Sequence, residues 1–163
     1  MFQKAVCLLV VLVLSNVSFC VAADVNDAMK DELQKLEGTW VTVAMEDNGQ
    51  KHLIKDMAPL RENPPTFVWK DGKGTYNIIT PKSDPKNSKG MPIVIDPTKT
   101  PKTLDVLMDM PGKNGPTKVA VIVAIYQLTG DTLEICYSPG MPRPKEIKSE
   151  AKTFIMTLER QKK

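Results

Sequence analysis

From Gly38 onward the chain is a succession of short runs in which apolar and polar residues alternate, separated by residues that make tight turns. That texture constrains the fold more than any other feature. A side-chain period of two belongs to strands with one buried face, and the turns between such runs are too short to hold crossover helices. "TWVTVAME" leads through Asp47-Asn48-Gly49-Gln50 into "KHLI"; "TFVWK" and "TYNIIT" flank Asp71-Gly72-Lys73-Gly74. Both separators are hairpin chemistry, because Asn-Gly and Asp-Gly tolerate the positive φ of a two-residue turn. "MPIVI" and "KTLDVLMDM" follow, then "TKVAVIVAIYQL" and "DTLEICYS" around Thr129-Gly130, and finally "KTFIMTLER". About nine strands result, joined as consecutive hairpins with no βαβ spacing. The expected fold is all-β: one up-and-down antiparallel barrel, whose closure removes free sheet edges.

The alternation can be followed residue by residue. Leu104, Val106, Met108 and Met110 share one face, with Thr103, Asp105 and Asp109 on the other. Phe154, Met156 and Leu158 share a face opposite Thr153, Thr157 and Glu159. Val119 to Leu128 is apolar on both faces, so its outer face is expected to be covered by a helix or a neighbouring loop. All 13 prolines lie from Pro59 to Pro144, within this strand region. The polar stretch "PKSDPKNSKG", residues 81–90, reads as a loop inside one domain.

The first residues differ in kind. Lys4 precedes ten apolar residues, Ala5 to Leu14, and Val21-Ala22-Ala23 offers small residues before Asp24. This is the layout of a secretory signal peptide over residues 1–23, with cleavage expected after Ala23. The apolar run is shorter than the ~20 residues needed to span a bilayer. The expected location is therefore periplasmic, secreted or at the cell surface. Residues 24–163 would form a single domain large enough for its own core. Cys7 and Cys20 leave with the signal, so only Cys136 remains and no intrachain disulfide is expected. The mature start, "DVNDAMKDELQKLEG", is the one helical stretch, capped by Asn26 or Asp27 and ended by Gly38, with Ala28, Leu33 and Leu36 on its apolar face.

Gly38-Thr39-Trp40, placed at the first strand just after a short helix, resembles the G-x-W signature of lipocalin-type barrels. The resemblance implies that Trp40 plugs the closed end of the barrel and that an arginine from a late strand, here Arg160, stacks on it. A longer match runs through "LQKLEGTWVTVAMEDNGQ", "IDPTKTPKTLDV", "AIYQLTGDTLEICYSPGMPRPKE" and the terminal "TLER". Together these resemble a family of lipocalin-like exported domains abundant in planctomycete bacteria. Ala124 stands where that family more often has glycine, which implies a softer strand bend. The resemblance carries architecture and implies no particular activity.

Function is much less legible. The net charge of +3 is too mild to imply nucleic acid. No Ser/His/Asp set, glycine-rich phosphate loop or cysteine cluster is visible, so an enzyme is not expected, nor a cofactor or metal. His52, the only histidine, is expected on the surface. Asp105 and Asp109 lie about 13 Å apart along one strand, too far to share a proton, and with Asp131 and Glu134 they read as solvated acids. Cys136 reads as a buried, inert thiol. Methionine-rich barrel walls suit irregular apolar ligands, so Met45, Val106, Met108, Met110, Phe154 and Met156 are candidate ligand contacts, against ordinary core packing. The expected partner is a small apolar or amphipathic molecule. The alternative is a protein-interaction scaffold that presents Tyr137 to Glu146, "YSPGMPRPKE", as a polyproline surface rather than a rigid loop.

Overall fold

A computed structural model describes residues 20–58, 60–77, 90–112, 115–140 and 142–162, with side chains from Asp27 onward. Residues 1–19 of the expected signal segment 1–23 and nearly all of the expected loop 81–90 lie outside these residues. Helix α1 (Cys20–Leu36) leads into nine strands: β1 (Gly38–Asp47), β2 (Gln50–Leu53), β3 (Thr66–Lys70), β4 (Lys73–Asn77), β5 (Met91–Asp96), β6 (Thr103–Met110), β7 (Thr117–Thr129), β8 (Thr132–Tyr137) and β9 (Phe154–Arg160). They pair antiparallel in the order β2-β1-β3-β4-β5-β6-β7-β8-β9, and β1 also pairs with β9. Eight strands therefore close into a barrel and β2 is an addition outside the ring.

The position of β2 follows from how β1 is shared. Gly38 to Val41 pair with β3, while Ala44 to Asp47 pair with β2. On its other edge β1 runs along β9 from Trp40 to Asp47, with an irregularity between Thr42 and Ala44. Both expected hairpin turns form. Asp71 and Gly72 take φ of 53° and 72°, the left-handed pair that matches the twist of the flanking strands.

Antiparallel order sorts the turns between two ends. The start of β1, the β3–β4, β5–β6 and β7–β8 turns and the end of β9 share one end with α1. The β1–β2 and β6–β7 turns share the other. The core runs between them: Trp40, Phe67, Trp69, Tyr76, Leu104, Val106, Tyr126, Leu133, Ile135, Met156 and Leu158 form one buried cluster. Trp69 packs its indole against Gly74, where a Cβ would meet the ring nitrogen at 2.7 Å.

Two local expectations are corrected. The helix starts at Cys20, ahead of Asn26 or Asp27, as Val21-Ala22-Ala23 do not interrupt it. Its buried face is Met29, Leu33 and Leu36, with Glu32 between them, and Ala28 is exposed. Spacing of i, i+4, i+7 selects Met29 over Ala28, and Glu32 is tolerated inside because it is paired.

The outer face of the barrel carries a second, smaller cluster, Ile125, Cys136 and Ile155, with Ile147 packed on it. The described residues between β8 and β9, 138–140 and 142–152, thus run over the outside of the wall. This strap is the covering loop expected for the apolar outer face of β7, but it covers Ile125 and leaves Val121 exposed, while Val119, opposite Met108, is exposed on the other face.

Candidate functional site

At the α1 end the chain builds a stopper from residues far apart in sequence. Trp40 is fully buried and its Nε1–H donates to the Leu36 carbonyl at 2.7 Å. The Arg160 guanidinium lies 4.1 Å from the Trp40 ring centroid, as the resemblance implied. Arg160 Nη2 donates to the Lys35 carbonyl at 2.6 Å, Nη1 donates to the Glu37 carbonyl, and Nε donates to Asp131 Oδ1 at 2.9 Å. A single planar fork therefore ties β9 to the last carbonyls of the helix, where a cation also complements the helix dipole. Gly38 makes this approach feasible, with φ of 122° and a would-be Cβ only 3.4 Å from Arg160 Nη1.

Deeper in, Glu32 is buried against the barrel mouth. Lys102 Nζ donates to Glu32 Oε2 at 2.7 Å and the Tyr126 hydroxyl donates to Oε1 at 3.0 Å. Burial pushes the Tyr126 hydroxyl far up from its ordinary pKa, and the Glu32 charge beside it adds to this. Lys102 ends the turn between β5 and β6, so the Pro-rich stretch from Asp96 to Lys102 is part of this stopper. Asp96 caps the turn. Its Oδ1 accepts from Thr98 Oγ1 at 2.5 Å and from Thr98 N at 3.0 Å, bonds that hold the carboxyl below its usual range. An open cleft of about 540 Å3 runs between this turn and Gln127 and Leu128.

The opposite end is built differently. Met45, Tyr137 and Phe154 face inward there but are only half-buried, with the Tyr137 and Phe154 rings stacked 5.6 Å apart. Burial raises the Tyr137 hydroxyl pKa. Met108 and Met110 continue the inward face of β6 beyond Val106 and are exposed. The six candidate ligand contacts therefore divide. Val106 and Met156 are packed into the core; Met45 and Phe154 line the rim of the helix-free end; Met108 and Met110 stand above it. The clefts described lie on the outer wall and around α1, and none is lined by any of these six.

Other expectations resolve at single residues. His52 is exposed on β2, 3.9 Å from Asp47. Cys136 is buried under the strap, and its Sγ lies 3.6 Å from the Glu146 carbonyl. Burial raises its thiol pKa, the setting of an unreactive cysteine. Asp105 corrects the reading of a solvated acid. It is half-buried on the outer wall, with Oδ1 2.6 Å from Arg143 Nη2. That contact is an ion pair off the hydrogen-bond direction, which leaves the oxygen without an aligned donor. Arg143 Nη1 also donates to the Ala124 and Leu104 carbonyls. The Arg-Pro segment thus points its cation inward and pins the strap to β6 and β7. Nothing local in the sequence signalled that pairing, or that of Glu32.

Among the described residues, no group of three or more His, Cys, Asp or Glu side chains comes together to hold a metal. No described helix is long and apolar enough to cross a membrane. Comparison with family models, curated proteins and solved structures gave no match for this chain.

Proposed function

We propose that the protein is an exported, lipocalin-like binding protein that holds a small apolar or amphipathic molecule at the helix-free end of its barrel. The observation that carries this reading is the gradient of exposure along the inward-facing side chains. Next to α1 they are sealed: Leu36, Trp40, Leu133 and Leu158 are all at 0%. At the other end Met45, Tyr137 and Phe154 remain half-open, and Met108 and Met110 extend the same surface upward. The result is a cup with a stopper below, lined by thioethers and aromatic rings that adapt to irregular apolar shapes. A binding rather than catalytic role is supported by the pairing of the ionisable groups: Glu32 with Lys102, Asp105 with Arg143 and Asp131 with Arg160 are each engaged in an ion pair, including Glu32, Lys102 and Arg160 where they border one cleft beside α1. Export is supported by the charged, apolar and small-residue regions of residues 1–23, and the lipocalin-like family assignment by the Trp40–Arg160 stopper. The alternative of a polyproline contact surface loses its cation, because Arg143 is held by the barrel wall.

The test is titration with N-phenyl-1-naphthylamine, a neutral apolar fluorophore. Saturable enhancement is expected, with affinity about tenfold weaker in Met45→Asp and Met108→Asp, since each change places a charge where apolar surface is buried. Absence of saturable binding, or an affinity in both variants equal to that of the parent, overturns the cup. Native mass spectrometry of protein taken from its producing cells then gives the mass of the resident ligand.

A further inference from the structure

The β6–β7 hairpin outgrows the barrel. Its eight rungs run from Thr103–Ile125 to Met110–Thr117, but β5 accompanies β6 only as far as Val106, and β8 accompanies β7 only from Ala124. Beyond these points it is a two-stranded arm. Among the described residues, no strand pairs with Thr117 to Val123 on the β8 side. The arm is also where apolar surface is left open. Of the six large apolar side chains exposed among the described residues, four stand on it: Met108 at 40%, Met110 at 44%, Val119 at 45% and Val121 at 41%. A free apolar edge is a template for another strand, and proteins usually blunt such edges with charge or proline. Here the edge from Thr117 to Val123 carries one charge, Lys118, and no proline.

We infer that this edge is the dimer interface of the protein, with β7 of one copy pairing antiparallel with β7 of a second copy about a two-fold axis near Ala120. Charge and pattern on the strand select a second copy as the occupant. Val119 to Ile125 is the longest unbroken apolar run in the described strands, so the surface that best complements it is the same run. Antiparallel pairing about Ala120 brings Val119 of one copy beside Val121 of the other. It leaves the two Lys118 side chains about 14 Å apart, so no like charges face each other. Within each copy Lys118 sits across from Asp109, so the edge offers no net charge to attract a charged peptide instead. The extra residue of β7 between the Val106–Ile122 and Leu107–Ala120 rungs marks where the arm leaves the regular ladder, and a bulge of this kind bends the strand and increases its local twist. Pairing of this kind is isologous and closes at two copies.

The experiment is sedimentation velocity on the protein as its producing cells process it, alongside a Val119→Lys/Val121→Lys double variant. Both side chains are exposed, so the change spares the core. A species of twice the chain mass is expected at tens of micromolar, falling to the single-chain mass in the variant with an unchanged near-ultraviolet circular dichroism spectrum. A monomeric parent at 100 micromolar, a variant that remains dimeric, or open-ended larger assemblies each overturn the inference. A monomer that floats with phospholipid vesicles also overturns it and assigns the arm to a membrane surface. If the variant does not fold, hydrogen exchange on the parent decides. Protection of amides 117–123 that rises with protein concentration supports the interface, and concentration-independent exchange overturns it.

Discussion

Arg160 shows how one side chain can fix the end of a barrel. Its charge lies over the Trp40 ring while its nitrogens serve the Lys35 and Glu37 carbonyls and Asp131. Lysine keeps the charge but has no planar fork, so it cannot meet three acceptors on different elements together. Arg160→Lys is therefore expected to lower stability by about 1–2 kcal/mol, discounted for the partial exposure of the side chain. The check is the midpoint of urea unfolding at an unchanged slope, and an unmoved midpoint would show that the cation–ring contact alone suffices. Trp40 and Arg160 were legible in the sequence because a short motif and a strand face placed them. Asp105 was not. Its alternation with Leu104 and Val106 correctly put it outside the barrel, but a strand pattern does not report what lies over the outer wall. There Arg143, brought back by the strap, turns a solvated acid into a half-buried ion pair.

At the scale of elements the same division holds. Strands and two-residue turns are local, written in alternation and in Asn-Gly and Asp-Gly pairs, and nine strands could be read directly. Membership of the ring was not readable. β2 has good local chemistry, yet it pairs with the half of β1 that β3 does not reach and stays outside the barrel. Docking of α1 was equally hidden, since Glu32 meets Lys102 and Tyr126 at separations of 70 and 94 residues. That contact carries a prediction for the element. Glu32→Ala leaves the buried Tyr126 hydroxyl without an acceptor, while the more exposed Lys102 can turn to water. The expected cost is about 2 kcal/mol, below that of breaking a fully buried pair. Glu32→Gln keeps an acceptor for Tyr126 and is expected to cost about half as much. Urea unfolding of both variants separates the two, and equal losses would mean that the helix is held by Leu33, Leu36 and Arg160 alone.

Across the whole molecule, closure joins these local pieces into one cooperative unit, because β1 and β9 complete the ring only if every intervening register is correct. The buried tyrosines report on that unit from different places. Tyr76 lies in the core against Phe67, with ring centroids 4.6 Å apart, and burial pushes its pKa up from 10 to about 12, helped by Tyr137. Tyr126 by the stopper and Tyr137 by the cup are also raised, each chiefly by burial. For all three the folded state holds its proton more tightly than the unfolded chain. Their contribution to stability is complete below the unfolded value near 10 and is lost as pH rises through the folded values. For Tyr76 alone the span from 10 to about 12 corresponds to an upper figure of about 3 kcal/mol. Stability should therefore fall steeply above pH 10, with the barrel unfolding in a single alkaline transition. Tyrosinate absorbance and far-ultraviolet circular dichroism should change together there, because the three hydroxyls sit in one closed sheet and none can ionise freely while it is intact. Titration of all three rings before any loss of strand signal would instead mean that the barrel opens locally at each end without losing its closure.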